Sequence, residues 1–100
     1  MNKIYFDKVR AIINEFDPCS LICLGAPPDE YDDLTNRVIN FHLDKKSKDE
    51  IRTMIIDRLE NYFGCIEVNS LDLENKAKFL NDLEITINRL YKELEQMHWA

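Results

Sequence analysis

From Ser70 to Ala100 the chain runs without a single Gly or Pro. Within that stretch Leu73, Ala77, Leu80, Leu83, Ile87, Leu90, Leu94 and Met97 step by 4, 3, 3, 4, 3, 4 and 3. Such steps place apolar side chains along one side of a helix, close to a heptad seam. A helix over 71–97 would run about 40 Å at 1.5 Å per residue. In a chain of 100 residues it has to serve as the spine on which the rest packs. Phe79 and Tyr91 lie off the seam and widen the stripe.

Three shorter periodic stretches precede it. Val9, Ile12, Ile13 and Phe16 recur at helical spacing, with Tyr5 and Phe6 one turn earlier. Asp17-Pro18 ends this first helix, because the residue before a proline is pushed out of the α region. A second helix is expected from about Asp29. There Pro28 suits the start, Asp29 and Glu30 face the free N–H groups, and Tyr31, Leu34, Val38 and Phe41 form one face. Ser47 and Glu50 have the spacing of a capping box for a third helix. Its face is Ile51, Met54, Ile55, Leu59, Tyr62 and Phe63, and Gly64 is the expected left-handed cap. Residues 65–69 alternate enough for a short strand, but no second strand exists to pair with it. Asn69 with Asp72 reads instead as a capping box, and Val68 against Leu73 as its hydrophobic staple.

The expectation is therefore all-α: a single helical domain over 1–100, a compact bundle of four helices with a long C-terminal one. Leu80, Leu83, Ile87, Phe16, Tyr31 and Phe63 should lie in its core. Forty-five per cent hydrophobic residues suffice for such a core, while the length is too short for a TIM barrel or a full dinucleotide-binding fold. A net charge of −6 argues against nucleic acid, which calls for a concentrated basic face. The N-terminus lacks the pattern of a signal peptide, and the longest apolar run, Leu21 to Ala26, is far short of a membrane span. Three cysteines cannot all pair within the chain, so free, partly buried thiols and a cytoplasmic location are expected.

Residues 17–30, DPCSLICLGAPPDE, form the one long connection, and it is more apolar than a solvated loop should be. It is expected to fold down as a lid, with a 3₁₀ turn at Cys19 to Leu21. Charge concentrates here too: residues 17–34 hold five acids and no Lys or Arg.

The run INEFDPCSLICLGAPPDEYDD, Ile13 to Asp33, resembles a family of small bacterial proteins of unknown function found in Bacillus species. Its pattern is IxxWDPxxL, a Gly/Pro-rich loop, then DEYD. Asp17, Pro18 and Leu21 match the first block, with Phe16 where the family usually has tryptophan. Gly25, Pro28, Asp29, Glu30, Tyr31 and Asp32 match the second. The resemblance covers roughly residues 4 to 63 and implies an all-helical fold. It implies no reaction, and related short proteins sit among toxin and immunity genes.

Two readings of this segment stand side by side. In the structural one, Asp17 caps a turn, Asp29 or Glu30 caps helix two, and Tyr31 plugs the core with its hydroxyl on a loop carbonyl. Pro18, Leu21 and Gly25 then shape the loop. In the functional one, Asp29, Glu30, Asp32 and Asp33 face a basic partner. A carboxylate metal site is a remote third, since the spacing is not that of a calcium loop. Cys19 and Cys23 make a CxxxC, and neither they nor Cys65 with His42 or His98 give a zinc spacing. No Ser-His-Asp order, phosphate loop or HExxH is present, so no catalytic residue, metal or cofactor is assigned. The function expected is non-enzymatic protein binding, in its most concrete form an immunity or inhibitor protein that neutralises a basic toxin domain. The alternatives are a cytoplasmic helical protein acting as a homodimer or scaffold through its C-terminal helix, and a small enzyme of unknown class.

Overall fold

Four α-helices follow one another in the computed structural model, which describes residues 3–96. They are α1 (Lys3–Phe16), α2 (Asp32–Leu43), α3 (Lys48–Asp57) and α4 (Leu73–Glu95). Among the described residues there is no strand, and residues 65–69 contribute only the start of a 3₁₀ turn at Val68–Ser70. α4 packs chiefly on α1, α1 also on α2, and α3 lies against both α2 and α4. The core between them is formed by Val9, Ile12 and Ile13 of α1, Leu34, Val38 and Ile39 of α2, Ile51, Met54 and Ile55 of α3, and the inner face of α4.

Helix ends follow their local chemistry. Ser47 Oγ accepts from the Glu50 N–H at 3.1 Å and Glu50 Oε1 accepts from the Ser47 N–H at 3.3 Å, the expected capping box. α3 does not stop at Asp57 but widens into a π turn over Arg58–Tyr62, with the Phe63 N–H on the Arg58 carbonyl at 2.9 Å. Gly64 then takes the left-handed conformation at φ +62°. α2 starts at Asp32 rather than Asp29, because Pro27 to Tyr31 form turns of their own. α4 starts at Leu73, where Asp72 Oδ1 caps the Asn75 N–H at 2.8 Å. The expected Asn69–Asp72 box and the Val68–Leu73 staple do not form: Val68 is buried, but Leu73 is 87% exposed.

The seam of α4 is offset from the expected one. Leu83, Ile87, Leu90 and Leu94 are buried as read from the sequence, together with Phe79 and Thr86. Leu73 and Ala77 are exposed and Leu80 is half-buried. A straight helix drifts about 20° per heptad from a strict 3.5-residue repeat, so a seam read by heptads cannot stay on one face over six turns. Tyr31 is fully buried as expected, whereas Phe16 and Phe63 are half-buried at the rim. At the other end of α4, Leu94 is buried and the Tyr91 hydroxyl donates to the Lys46 carbonyl at 2.8 Å. On the C-terminal helix, the expected route to a homodimer, Leu94 is buried and Tyr91 half-buried by the chain itself, while Met97 lies outside the described residues.

One core position is ill-matched to its surroundings. Thr35 of α2 is fully buried and its Oγ1 has no hydrogen-bond partner. A buried unpaired hydroxyl costs on the order of 1–3 kcal/mol, and valine has the same shape without it. Thr35→Val should therefore raise the stability measured in urea by about 1 kcal/mol. A loss of similar size would mean that the hydroxyl is satisfied in solution.

Candidate functional site

The 17–31 loop is built around one carboxylate. Asp17 leaves α1 with φ +43°, a left-handed conformation that Asp tolerates better than most residues. Pro18 occupies the second position of the turn closed by the Ser20 N–H on the Asp17 carbonyl at 3.0 Å, where its fixed φ fits. The chain then curls back over its own start. Asp17 Oδ1 accepts from the Ile22 N–H at 3.1 Å and from the Tyr31 hydroxyl at 2.7 Å, and Oδ2 accepts from the Cys23 N–H at 2.9 Å. The Tyr31 oxygen in turn accepts from the Cys19 N–H at 2.9 Å. Tyr31 therefore does plug the core, with its ring 5.6 Å from that of Phe63, but its hydroxyl bonds a carboxylate and loop N–H groups rather than a carbonyl.

Ser20 (φ +57°) and Gly25 (φ +97°) add two more left-handed residues to the same loop. A non-glycine residue held there costs on the order of 1–3 kcal/mol, and such strain persists only where surrounding contacts over-determine it. Those contacts are Leu21 and Ile22, half-buried against the core, the Asn14 Nδ2 bond to the Pro28 carbonyl at 2.9 Å, and a covalent one. Cys19 is joined to Cys65 in a disulfide with 5.5 Å between the Cα atoms. This corrects the reading of all three cysteines as free thiols: only Cys23 is free, and it is exposed. The argument for a cytoplasmic location from unpaired thiols loses its footing with it. The expected lid is present as a set of turns rather than a 3₁₀ helix, and Leu24 at its tip is 82% exposed.

The four acids assigned to a partner divide into two pairs. Asp32 is held by Arg10 of α1 through Nε at 2.9 Å and Nη2 at 2.6 Å, a bidentate ion pair. Asp33 Oδ2 accepts from Arg58 Nη2 at 2.7 Å and from Arg37 Nε at 3.2 Å. These two carboxylates fasten α2 to α1 and to the π turn. Asp29 and Glu30 are exposed, and among the described residues their carboxylates make no ion pair or hydrogen bond, although Asp29 acts electrostatically on Arg10; neither caps α2 with its side chain. Leu24, Asp29 and Glu30 thus stand outward on a loop whose base is fixed by Asp17, Tyr31 and the disulfide. Nothing in the sequence marked Cys65 as the partner of Cys19, 46 residues away, or Arg10 and Arg58 as the partners of Asp32 and Asp33.

The Asp17–Tyr31 pair titrates away from both ordinary values. Burial pushes Asp17 upward, but the bonds from Tyr31, Cys23, Ile22 and Leu21 to its ionised form outweigh that and leave it lowered. Burial, reinforced by the bond to Asp17, pushes the Tyr31 hydroxyl up to about 12. Asp17 contributes stability that is present above the usual carboxylate value and lost as pH falls through its lowered one. Tyr31 contributes stability that is present below about pH 10 and lost as pH rises toward 12. Melting temperatures across pH should show both flanks, Asp17→Asn removing the acid one and Tyr31→Phe the alkaline one. Flanks unchanged in these variants would place the titration elsewhere.

Among the described residues no group of three His, Cys, Asp or Glu is placed to hold a metal ion. No helix among them is long and apolar enough to cross a membrane. His42 meets Tyr91 edge-on at 5.9 Å, away from this loop. Comparison of the chain with protein-family models, with curated proteins and with solved structures finds no match in any of the three.

Proposed function

We propose that this chain is a non-enzymatic protein-binding module that recognises a basic partner through the 17–31 loop, acting as an immunity or inhibitor protein against a cognate toxin. The observation that carries the reading is the fixed loop presenting Leu24, 82% exposed, and on the same loop Asp29 and Glu30, both exposed. A loop already held in one conformation loses less entropy on binding than a mobile one. An exposed leucine on such a loop supplies apolar area, and flanking acids steer a basic surface toward it. The net charge of −6 acts in the same direction at long range. The resemblance of residues 13–33 to a family whose related short proteins sit among toxin and immunity genes is a second, contextual support. Asp32 and Asp33, already paired with arginines, hold the helix start rather than supply free charge.

The test is binding and protection by a chain altered only at the loop rim. Leu24→Ala should weaken binding roughly 10- to 30-fold if the leucine is an anchor, by analogy with interface hot spots. Asp29→Asn with Glu30→Gln should slow association, with the effect shrinking as salt rises and the melting temperature nearly unchanged. Asp32→Asn with Asp33→Asn should instead lower the melting temperature. A toxin encoded beside this gene whose binding and toxicity are unaffected by the Leu24, Asp29 and Glu30 changes would refute the proposal.

A further inference from the structure

We infer that the Cys19–Cys65 disulfide is a redox latch on the recognition loop, a regulation that rests on the loop being the binding segment. The bond ties the loop to the end of the π turn: Cys65 follows Gly64, and its N–H is on the Leu59 carbonyl at 3.1 Å. It is reachable from solvent, since Cys65 is exposed and Cys19 only half-buried. Exposed disulfides are the ones open to exchange with external thiols.

What the latch holds is separable from what folds the domain. Cys65 stands apart from the buried core cluster and Cys19 only packs against its edge; the members of that cluster all lie on the four helices, the π turn, the 3₁₀ turn and Tyr31. On the loop side, Cys19 N–H is a donor to the Tyr31 hydroxyl, which bonds Asp17, so the crosslink is anchored in the same network that shapes the loop. Without it, the left-handed Asp17 and Ser20 are held by polar bonds to one carboxylate and one hydroxyl, by the loop's own backbone turn bonds, by the Asn14–Pro28 bond and by two half-buried side chains. Such segments open first when a constraint is removed.

The chemistry needs a thiol reductant and nothing else. A thiolate RS⁻ attacks the sulfur of Cys65, the more exposed residue of the pair, forming an R–S–S–Cys65 mixed disulfide as the Cys19–Cys65 bond breaks and Cys19 leaves as thiolate. A second RS⁻ attacks the R sulfur and releases Cys65 as thiolate and RSSR. Protons from the two RSH end on Cys19 and Cys65, so two thiols are oxidised and one cystine reduced. The oxidised chain presents the ordered loop; the reduced chain keeps its helices and loses that order.

Amide hydrogen exchange on the free, full-length protein, with and without dithiothreitol, tests this without any partner. The quantity is the protection of the Cys19, Ile22 and Cys23 amides themselves, with Ile87, fully buried, followed in the same sample as the reporter of global opening. Reduction should lower the loop protection at least tenfold, to below that of Ile87, while the far-UV helical signal stays, and re-oxidation should restore it. Cys65→Ser should show the low loop protection without reductant, and Cys23→Ser should respond as the unaltered chain does. Loop protection unchanged on reduction or falling only to the level of Ile87, a helical signal lost together with the loop, or a response abolished by Cys23→Ser would each overturn the latch. None of these outcomes touches the rim-residue test of binding, so the two ideas fail separately.

Discussion

Replacing Cys19 and Cys65 together by serine should lower the unfolding free energy by about 4 kcal/mol, the loop-entropy value for a crosslink spanning 46 residues. For a domain of this size that corresponds to a fall of roughly 15–30 °C in melting temperature. The effect comes mostly from the unfolded chain, which regains the freedom the crosslink removed, so helical content in the native state should be kept. Urea titrations of the oxidised, reduced and doubly substituted proteins measure it directly. The last two should agree. A loss under about 1 kcal/mol would mean that the unfolded chain is already compact between residues 19 and 65, against the entropy model.

Truncating Ile87 to alanine should cost about 2–5 kcal/mol, because the side chain is fully buried and its removal leaves a cavity among packed helices. Leu73→Ala removes an aliphatic group of the same size from the same helix and should cost under about 0.5 kcal/mol, since Leu73 is 87% exposed. The pair of substitutions separates the buried face of α4 from the seam that a heptad count suggests. Equal losses at the two sites would mean that Leu73 is covered in solution, by a partner copy or by the chain itself.

Much of the scaffold was legible in residue order because it depends on neighbours three or four positions apart. The capping box at Ser47 and Glu50, the left-handed Gly64 after α3, the break at Asp17-Pro18 and the absence of a strand at 65–69 are all of this kind. So is most of the core, since Val9, Ile13, Leu34, Val38, Ile51, Ile55, Leu83 and Ile87 are buried where the helical period puts them. The turns before α2 were less legible, because Asp29 and Glu30 look like helix-start residues while Pro27 and Pro28 favour a separate turn.

The site was legible as a place but not as a mechanism of support. Its unusual apolarity, its five acids and Tyr31 singled out residues 17–34. Which acids would stand free was decided by helix packing: α1 brings Arg10 onto Asp32, and α3 brings Arg58 onto Asp33, leaving Asp29 and Glu30. Local rules can state that Asp17 ends a helix; only the folded loop turns the Ile22 and Cys23 N–H groups back onto its carboxylate and sets Tyr31 beneath it. The same holds for Cys19 and Cys65, which no spacing relates and which meet because the π turn ends against the loop. By itself the sequence determined the helices, their caps and most of their buried faces, since these arise from interactions within one or two turns. The tertiary structure alone decided the disulfide, the ion-pair partners and the exposed rim, since these depend on where separate helices cross.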